Sequence, residues 1–188
     1  MFIEQKLQKK DLLWLLAYPI YQVIGTARHE GSHALVAVLE GAKIEQFVIL
    51  PSIVGGHFLW GYVQWSGRTN WVPVAAPYLC DLLTYLVFFF ICTRIPFRSH
   101  WIWVNLIILG LVSPLINSTY QYVISFVTST SDVAQLLNEL PQLAVHSYFV
   151  VTLVLYDLGL LVILTLPSQI LRQGPKVCIK SNQKRTTN

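Results

Sequence analysis

The stretch "TARHEGSHALVAVLEGAK", residues 26–43, sets a compact group of ionisable side chains in a run of small and apolar residues. His29, Glu30 and His33 follow the order His-Glu-x-x-His. Residues four apart lie on one face of a helix, so both imidazoles can reach one metal ion, with Glu30 beside the open coordination position. The pattern predicts a helical Zn²⁺ site with His29 and His33 as ligands and Glu30 as general base.

The composition indicates a membrane environment for this stretch. Of the 188 residues, 54% are hydrophobic and 12% are charged, whereas soluble chains average about 25% charged residues. The net charge of +4 is therefore not interpreted as nucleic-acid binding. Ionisable groups inside an apolar helix need partners, and a metal ion supplies one. A polar cluster that makes helix contacts is the other interpretation.

Four segments are long and apolar enough to cross a bilayer: 12–39, 72–92, 101–123 and 148–166. Lys and Arg cluster before the first, between the second and third, and after the fourth. The positive-inside rule then predicts a multi-pass protein with both termini in the cytoplasm. The predicted fold is an α-helical membrane bundle of about four transmembrane helices. We expect one domain at 1–167 and a basic, disordered tail at 168–188, and the short basic loops favour a bacterial-type cell membrane.

The predicted loop between the first and second spans has β character. Two β-rich runs, 44–50 and 58–65, are separated by Pro51 and by Gly55–Gly56, which predicts a small surface β-hairpin. Within the first predicted span, Pro19 predicts a kink.

A zinc site with two histidines needs a further protein ligand. Asp132 follows the third span, and Asp81 lies inside the second span at a workable depth, so position alone leaves both open. Asp132 could instead be the N-cap of a short helix at 133–140. The remaining candidates are Asp157, His57 and His146.

The segment "HEGSHALVAVLEGAKIEQFVI" resembles the site-2 protease family of intramembrane zinc metalloproteases. The resemblance extends to "AAPYLCDLLTYL" and "PLINSTYQYVISFVTSTSDVAQLLNELP" and covers most of residues 12–166. It implies that Asp132 is the third zinc ligand and that Asn117 holds substrate backbone or a group beside the metal. For Asn117 an interhelical hydrogen bond is the alternative. The chain has no Leu-Asp-Gly motif, which assigns it to a compact branch.

The resemblance implies one Zn²⁺ per chain and hydrolysis of a peptide bond in a membrane-embedded protein, with a protein substrate and the lipid bilayer as partners. One alternative is a non-proteolytic relative that acts as a binder or regulator, although the intact Glu30 argues against it. The other is a small transporter with Asp81 and Asp157 as ion-pathway carboxylates, which no internal repeat supports. The sequence leaves the oligomeric state open.

Overall fold

The computed structural model describes residues 6–165, which are mostly helical. A 3₁₀ helix, Lys9–Ala17, leads into α1, Tyr18–Leu39. Four short strands follow: β1 Lys43–Val48, β2 Ser52–Val54, β3 His57–Leu59 and β4 Tyr62–Ser66. The later helices are α2 Val72–Arg94, α3 His100–Ile107, α4 Ser113–Ile124, α5 Asp132–Glu139 and α6 Gln142–Thr165. The tail predicted at 168–188 lies outside the described residues.

Within residues 6–165, three helical stretches are long and apolar enough to span a membrane: Val72–Arg94, His100–Ile124 and Gln142–Thr165. They confirm the predicted helical membrane fold. The first predicted span, 12–39, does not join them. The first part of this predicted span is the 3₁₀ helix. The rest is α1, whose ionisable residues near its middle lower the mean hydropathy of the helix.

Pro19 lies in the first turn of α1, directly after the 3₁₀ helix, and not in the interior of one continuous α-helix as the sequence analysis assumed. It occupies the first turn, where backbone N–H groups have no partner within the helix and a residue without an N–H loses nothing. The fixed φ of proline also suits a helix start. The change from 3₁₀ to α-helical geometry therefore falls directly before Pro19.

The strands form one long antiparallel hairpin, as predicted, but it is divided into four strands. β1 pairs with β4 from Lys43↔Ser66 inward, and β2 pairs with β3 at the tip. Gly55 and Gly56 make the tip turn with φ of 58° and 83°, a conformation that favours glycine and suits a two-residue hairpin turn. Pro51 stands between β1 and β2, where its missing N–H interrupts the ladder.

The second membrane-length stretch, His100–Ile124, is one helix with an irregular middle. A π-helical turn, Ile108–Val112, joins α3 to α4, and Pro114 follows in the first turn of α4. A π turn widens the helix by one residue per turn. Within it, Gly110 lies so close to α2 that an added Cβ would be 2.1 Å from Phe88 Cγ, so a side chain at 110 would push the helices apart.

Buried apolar side chains form two cores. The first core joins α1, α2, α3, the π turn and α6 through Tyr21, Tyr85, Cys92, Trp103, Val104, Ile107, Ile108, Leu111, Tyr156 and Ile163. The second core joins the start of α2 to α5 and α6 through Val74, Ala75, Tyr78, Val133, Leu136, Val145 and Phe149. The second core borders the ionisable residues of α1, since the rings of Tyr78 and His29 lie 5.8 Å apart.

Candidate metal centre

Three side chains from distant parts of the chain converge on one point. His29 and His33 are one turn apart on α1, and Asp132 is the first residue of α5. His29 Nε2 lies 3.1 Å from Asp132 Oδ2, and His33 Nε2 lies 3.2 Å from the same oxygen. The two Nε2 atoms are 3.3 Å apart. Both histidines are 4% exposed and the Asp132 side chain is 23% exposed, so the site is largely but not fully buried.

The group has the geometry and the donor chemistry of a tetrahedral metal site. Zinc bonds to nitrogen and oxygen are about 2.0–2.1 Å long, which separates the ligands of a tetrahedron by about 3.3 Å. The separations of 3.1–3.3 Å fit that spacing. Two imidazoles and a carboxylate also leave a fourth position free, as in catalytic zinc sites. His29, His33 and Asp132 could therefore hold one metal ion.

A backbone carbonyl orients His33. Its Nδ1 lies 2.8 Å from the carbonyl oxygen of Pro73, in the first turn of α2. An oxygen acceptor at that position keeps the ring proton on Nδ1 and leaves the Nε2 lone pair free for a metal. The sequence analysis did not identify Pro73, and a contact through a backbone carbonyl leaves no residue-type signal in a sequence.

Asp132 is held in the form that binds a metal. Burial raises the pKa of its carboxyl group, but hydrogen bonds and positive charge from His29 and His33 outweigh burial and bring the pKa well below its ordinary value. Tyr78 donates a further hydrogen bond to Oδ2 over 3.3 Å. The N-cap of α5 is Ser131, whose Oγ accepts from Ala134 N. Asp132 is thus not the N-cap, and its carboxylate faces the histidines.

Glu30 borders open space beside this group. It is 9% exposed and lines two adjoining clefts of about 310 and 520 Å³. The larger cleft also reaches His33 and Asp132. The hairpin forms one wall of the larger cleft through Gly61, Tyr62 and Val63. A carboxylate so placed can exchange a proton with a molecule bound between the hairpin and the three converging side chains.

Gly61 lets the hairpin approach helix α1 at this point. A Cβ there would lie 2.4 Å from Thr26 Cγ2 and 2.6 Å from the carbonyl oxygen of Val48. It would also come within 3.4 Å of Glu30 Cγ. The sequence analysis passed over this glycine, because its sequence context, Trp-Gly-Tyr, gives no sign of a close approach.

Asp81 does not join the three converging side chains. It is 0% exposed, and both of its oxygens are engaged. Arg28 approaches Oδ1 with Nε at 2.8 Å and Nη2 at 2.7 Å, while Asn117 donates to Oδ2 over 2.7 Å. The Asn117 bond is interhelical, as one of the two sequence interpretations expected. The same Asn117 nitrogen lies 3.1 Å from His29 Nδ1, so Asn117 also stands directly behind the metal site.

The other candidate ligands lie elsewhere. His146 Nδ1 meets the hydroxyl of Tyr122 at 3.0 Å, Asp157 is exposed, and the side chain of His57 is outside the described part of the structure.

The sequence analysis did not identify Arg28 as part of the site, although the sequence contained a signal for it. A cation in the apolar stretch next to His29 needs a buried partner, and Asp81 is the carboxylate that pairs with it.

These features define a helical membrane protein with a candidate metal centre formed by α1 and α5. The sequence matches the Peptidase M50B-like family over residues 11–184, and the chain belongs to that family. The match spans nearly the whole chain and confirms the resemblance to site-2 proteases. No curated protein and no solved structure matches the chain.

Proposed function

We propose that the protein is an intramembrane zinc endopeptidase that hydrolyses a peptide bond of a membrane-embedded protein. The observation that carries the proposal is the convergence of three ligand atoms within 3.1–3.3 Å of one another in the cleft that Glu30 also lines. The same distances favour Asp132 over Asp81 as the third ligand, because the Asp81 oxygens are already occupied by Arg28 and Asn117.

Each residue of the site has a distinct task in this reaction. A bound Zn²⁺ would supply a Lewis acid that polarises the substrate carbonyl and lowers the pKa of water. Glu30 accepts the proton of the attacking water and delivers it to the leaving nitrogen. The carbonyl of Pro73 orients the His33 ring so that Nε2 faces the metal position, and the Tyr78 hydroxyl orients the Asp132 carboxylate. Both histidines are buried, so water and substrate would reach the reacting atoms through the cleft that Glu30 lines.

The hairpin is the proposed binding surface for the substrate. A helical substrate must be locally unwound before its carbonyl can be attacked, and an unwound segment exposes backbone hydrogen-bonding groups. Among the described residues, β4 pairs with β1 alone, and its residues Tyr62, Val63 and Trp65 line the cleft. An extended segment can add to such an edge by β-augmentation, which would bring its backbone next to Glu30.

Metal analysis of the purified protein, together with cleavage of a co-expressed membrane substrate, tests the proposal. We expect about one zinc per chain in the wild type and in Glu30→Gln, and loss of zinc in His33→Ala. Cleavage should be lost in both variants. A wild type free of metal would refute the proposal, and cleavage that persists in Glu30→Gln would remove the role of the general base. A zinc-loaded wild type that cleaves no membrane substrate would favour the non-proteolytic relative.

The role of the hairpin can be tested separately. Lys43 and Ser66 are cross-strand partners, so their Cα atoms are about 5 Å apart. A short Gly-Ser linker between them can replace residues 44–65 without displacing α1 or α2. We expect this variant to retain zinc and to lose most cleavage. If it cleaves as the wild type does, the hairpin is not the substrate-binding surface.

A further inference from the structure

The two histidines have different partners on the side that faces away from the metal site. His33 Nδ1 faces a backbone carbonyl, which can only accept a hydrogen bond. His29 Nδ1 lies 3.1 Å from the side-chain amide nitrogen of Asn117. A neutral imidazole that binds metal through Nε2 carries its proton on Nδ1 and needs an acceptor there. For His29, the amide oxygen of Asn117, bonded to the same carbon as that nitrogen, can accept it once the amide rotates.

A buried ion pair stands behind Asn117. Asp81 is fully buried and is paired with Arg28 through Oδ1, and its second oxygen accepts from Asn117 over 2.7 Å. Removing two charges from water costs several kcal/mol per ion, so buried pairs add little to stability and are better explained by what they orient. Here the second carboxylate oxygen accepts from the amide that faces His29.

We propose that Arg28, Asp81 and Asn117 form a positioning chain that sets the metal affinity of His29. The inference rests on the proposed zinc site. Arg28 fixes the Asp81 carboxylate, and Asp81 holds the amide nitrogen of Asn117. In the structure that nitrogen faces both Asp81 Oδ2 and His29 Nδ1. In the metal-bound state a turn of the amide about its Cβ–Cγ bond would bring its oxygen to His29 Nδ1–H while its nitrogen keeps the bond to Asp81.

The chain of hydrogen bonds explains how the Asp81 carboxylate would influence His29 without touching it. A carboxylate that accepts from an amide N–H makes the amide oxygen a better acceptor, because bonds in such a chain polarise one another. The stronger acceptor makes His29 Nε2 a better donor to the metal. Asp81 thereby influences the metal while both of its own oxygens are occupied by Arg28 and Asn117.

The test measures the zinc affinity of the purified full-length chain by competition with a chromophoric chelator. The absorption spectrum of the Co²⁺-substituted protein reports ligand geometry. We expect Asn117→Leu to bind zinc about 10–100-fold more weakly than wild type and to change the cobalt spectrum. Asp81→Asn should weaken binding less, because the new amide can still accept from Asn117. If Asn117→Leu does not fold, Asn117→Ser carries the same expectation, since its hydroxyl is too short to reach His29.

A matched control and a double variant separate positioning from a merely structural role. Tyr85→Phe removes another buried hydrogen bond of α2, from Tyr85 to the carbonyl of Tyr156, and should lower the melting temperature without changing zinc affinity. Asn117→Leu combined with Asp81→Asn should bind zinc as Asn117→Leu alone does, because Asp81 acts through Asn117.

Three outcomes would overturn the inference. Wild-type zinc affinity with an unchanged cobalt spectrum in Asn117→Leu would remove the role of the amide. Additive losses in the double variant would show that Asp81 does not act through it. A wild type that binds no zinc would refute the proposed function as well, whereas the first two outcomes leave that function intact.

Discussion

The two cores of the bundle serve different purposes. The first core consists of large side chains from α1, α2, α3, the π turn and α6, and none of its members is a proposed ligand. The second core is smaller and seats α5 against α2 and α6. One of its members, Tyr78, donates directly to Asp132. The difference indicates that the first core governs the stability of the bundle, whereas the second core also governs where the third ligand lies.

The strongest test of this comparison removes the ligand that the second core positions. Asp132→Ala leaves two histidines, which are too few protein ligands for a stable zinc site. We expect the zinc content of the purified protein to fall from about one per chain towards zero, with loss of cleavage. Glu139→Ala is the matched control, since Glu139 is the exposed acidic residue at the other end of α5. Retention of one zinc by Asp132→Ala would eliminate Asp132 as a ligand.

A pair of leucine variants compares the cores directly. Leu111 in the first core is 0% exposed, and Leu136 in the second is 4% exposed. Each Leu→Ala change should cost about 2–5 kcal/mol of stability through lost burial and a cavity. Only Leu136→Ala should also weaken zinc binding, because α5 carries Asp132. Thermal melts in detergent and chelator competition measure the two effects, and equal zinc affinities would contradict the division of roles.

A smaller effect is expected where the hairpin meets α1. Gly61→Ala inserts a methyl group against Thr26 and the backbone of Val48, an overpacking that costs about 1–3 kcal/mol. The hairpin should move away from α1, so that cleavage falls while the zinc content stays the same. Gly31→Ala is the control, because a Cβ at Gly31 meets nothing within 4 Å. Unchanged cleavage in Gly61→Ala would separate the docking of the hairpin from catalysis.

The smallest expected effect concerns the start of α5. Ser131→Ala removes the side-chain acceptor for Ala134 N, and loss of an N-cap typically costs about 1 kcal/mol. Faster hydrogen exchange in the first turn of α5, with zinc affinity weakened a few-fold at most, is the anticipated result. Ser129→Ala serves as a comparison that leaves this cap intact. Unaltered exchange would show that the second core alone holds the helix end.

Local patterns carried most of the sequence-based prediction. The spacing of His29 and His33, the apolar runs at 72–92, 101–123 and 148–166 and the hairpin all depend on residues close together in the chain. The structure contains the corresponding elements. The boundaries of the first predicted span, 12–39, were less accurate. Its first part is a 3₁₀ helix and α1 starts only near Pro19, and both features depend on packing and backbone geometry, which hydropathy does not describe.

Contacts between distant residues were harder to predict. Asp132 was predicted in the loop after the third span and Asp81 inside the second span, and position alone could not decide which carboxylate turns towards the histidines. The pairing of Arg28 with Asp81 spans 53 residues of sequence. Together with Asn117 it occupies the Asp81 oxygens, which argues against Asp81 as the third ligand and leaves Asp132. A search for partners of every charge in the apolar segments, including Arg28, would have reduced the ambiguity.

The π-helical turn at Ile108–Val112 determines the angular phase of α4. Such a turn accommodates one extra residue, so α4 is offset by about 100° from the face that an uninterrupted α-helix of the same sequence would present. Without that offset, Asn117 would face about a quarter-turn away from His29. Deleting one residue from 108–112 should therefore be tolerated better than deleting one between the turn and Asn117. A single added residue in an apolar helix thus selects which side chain stands behind His29.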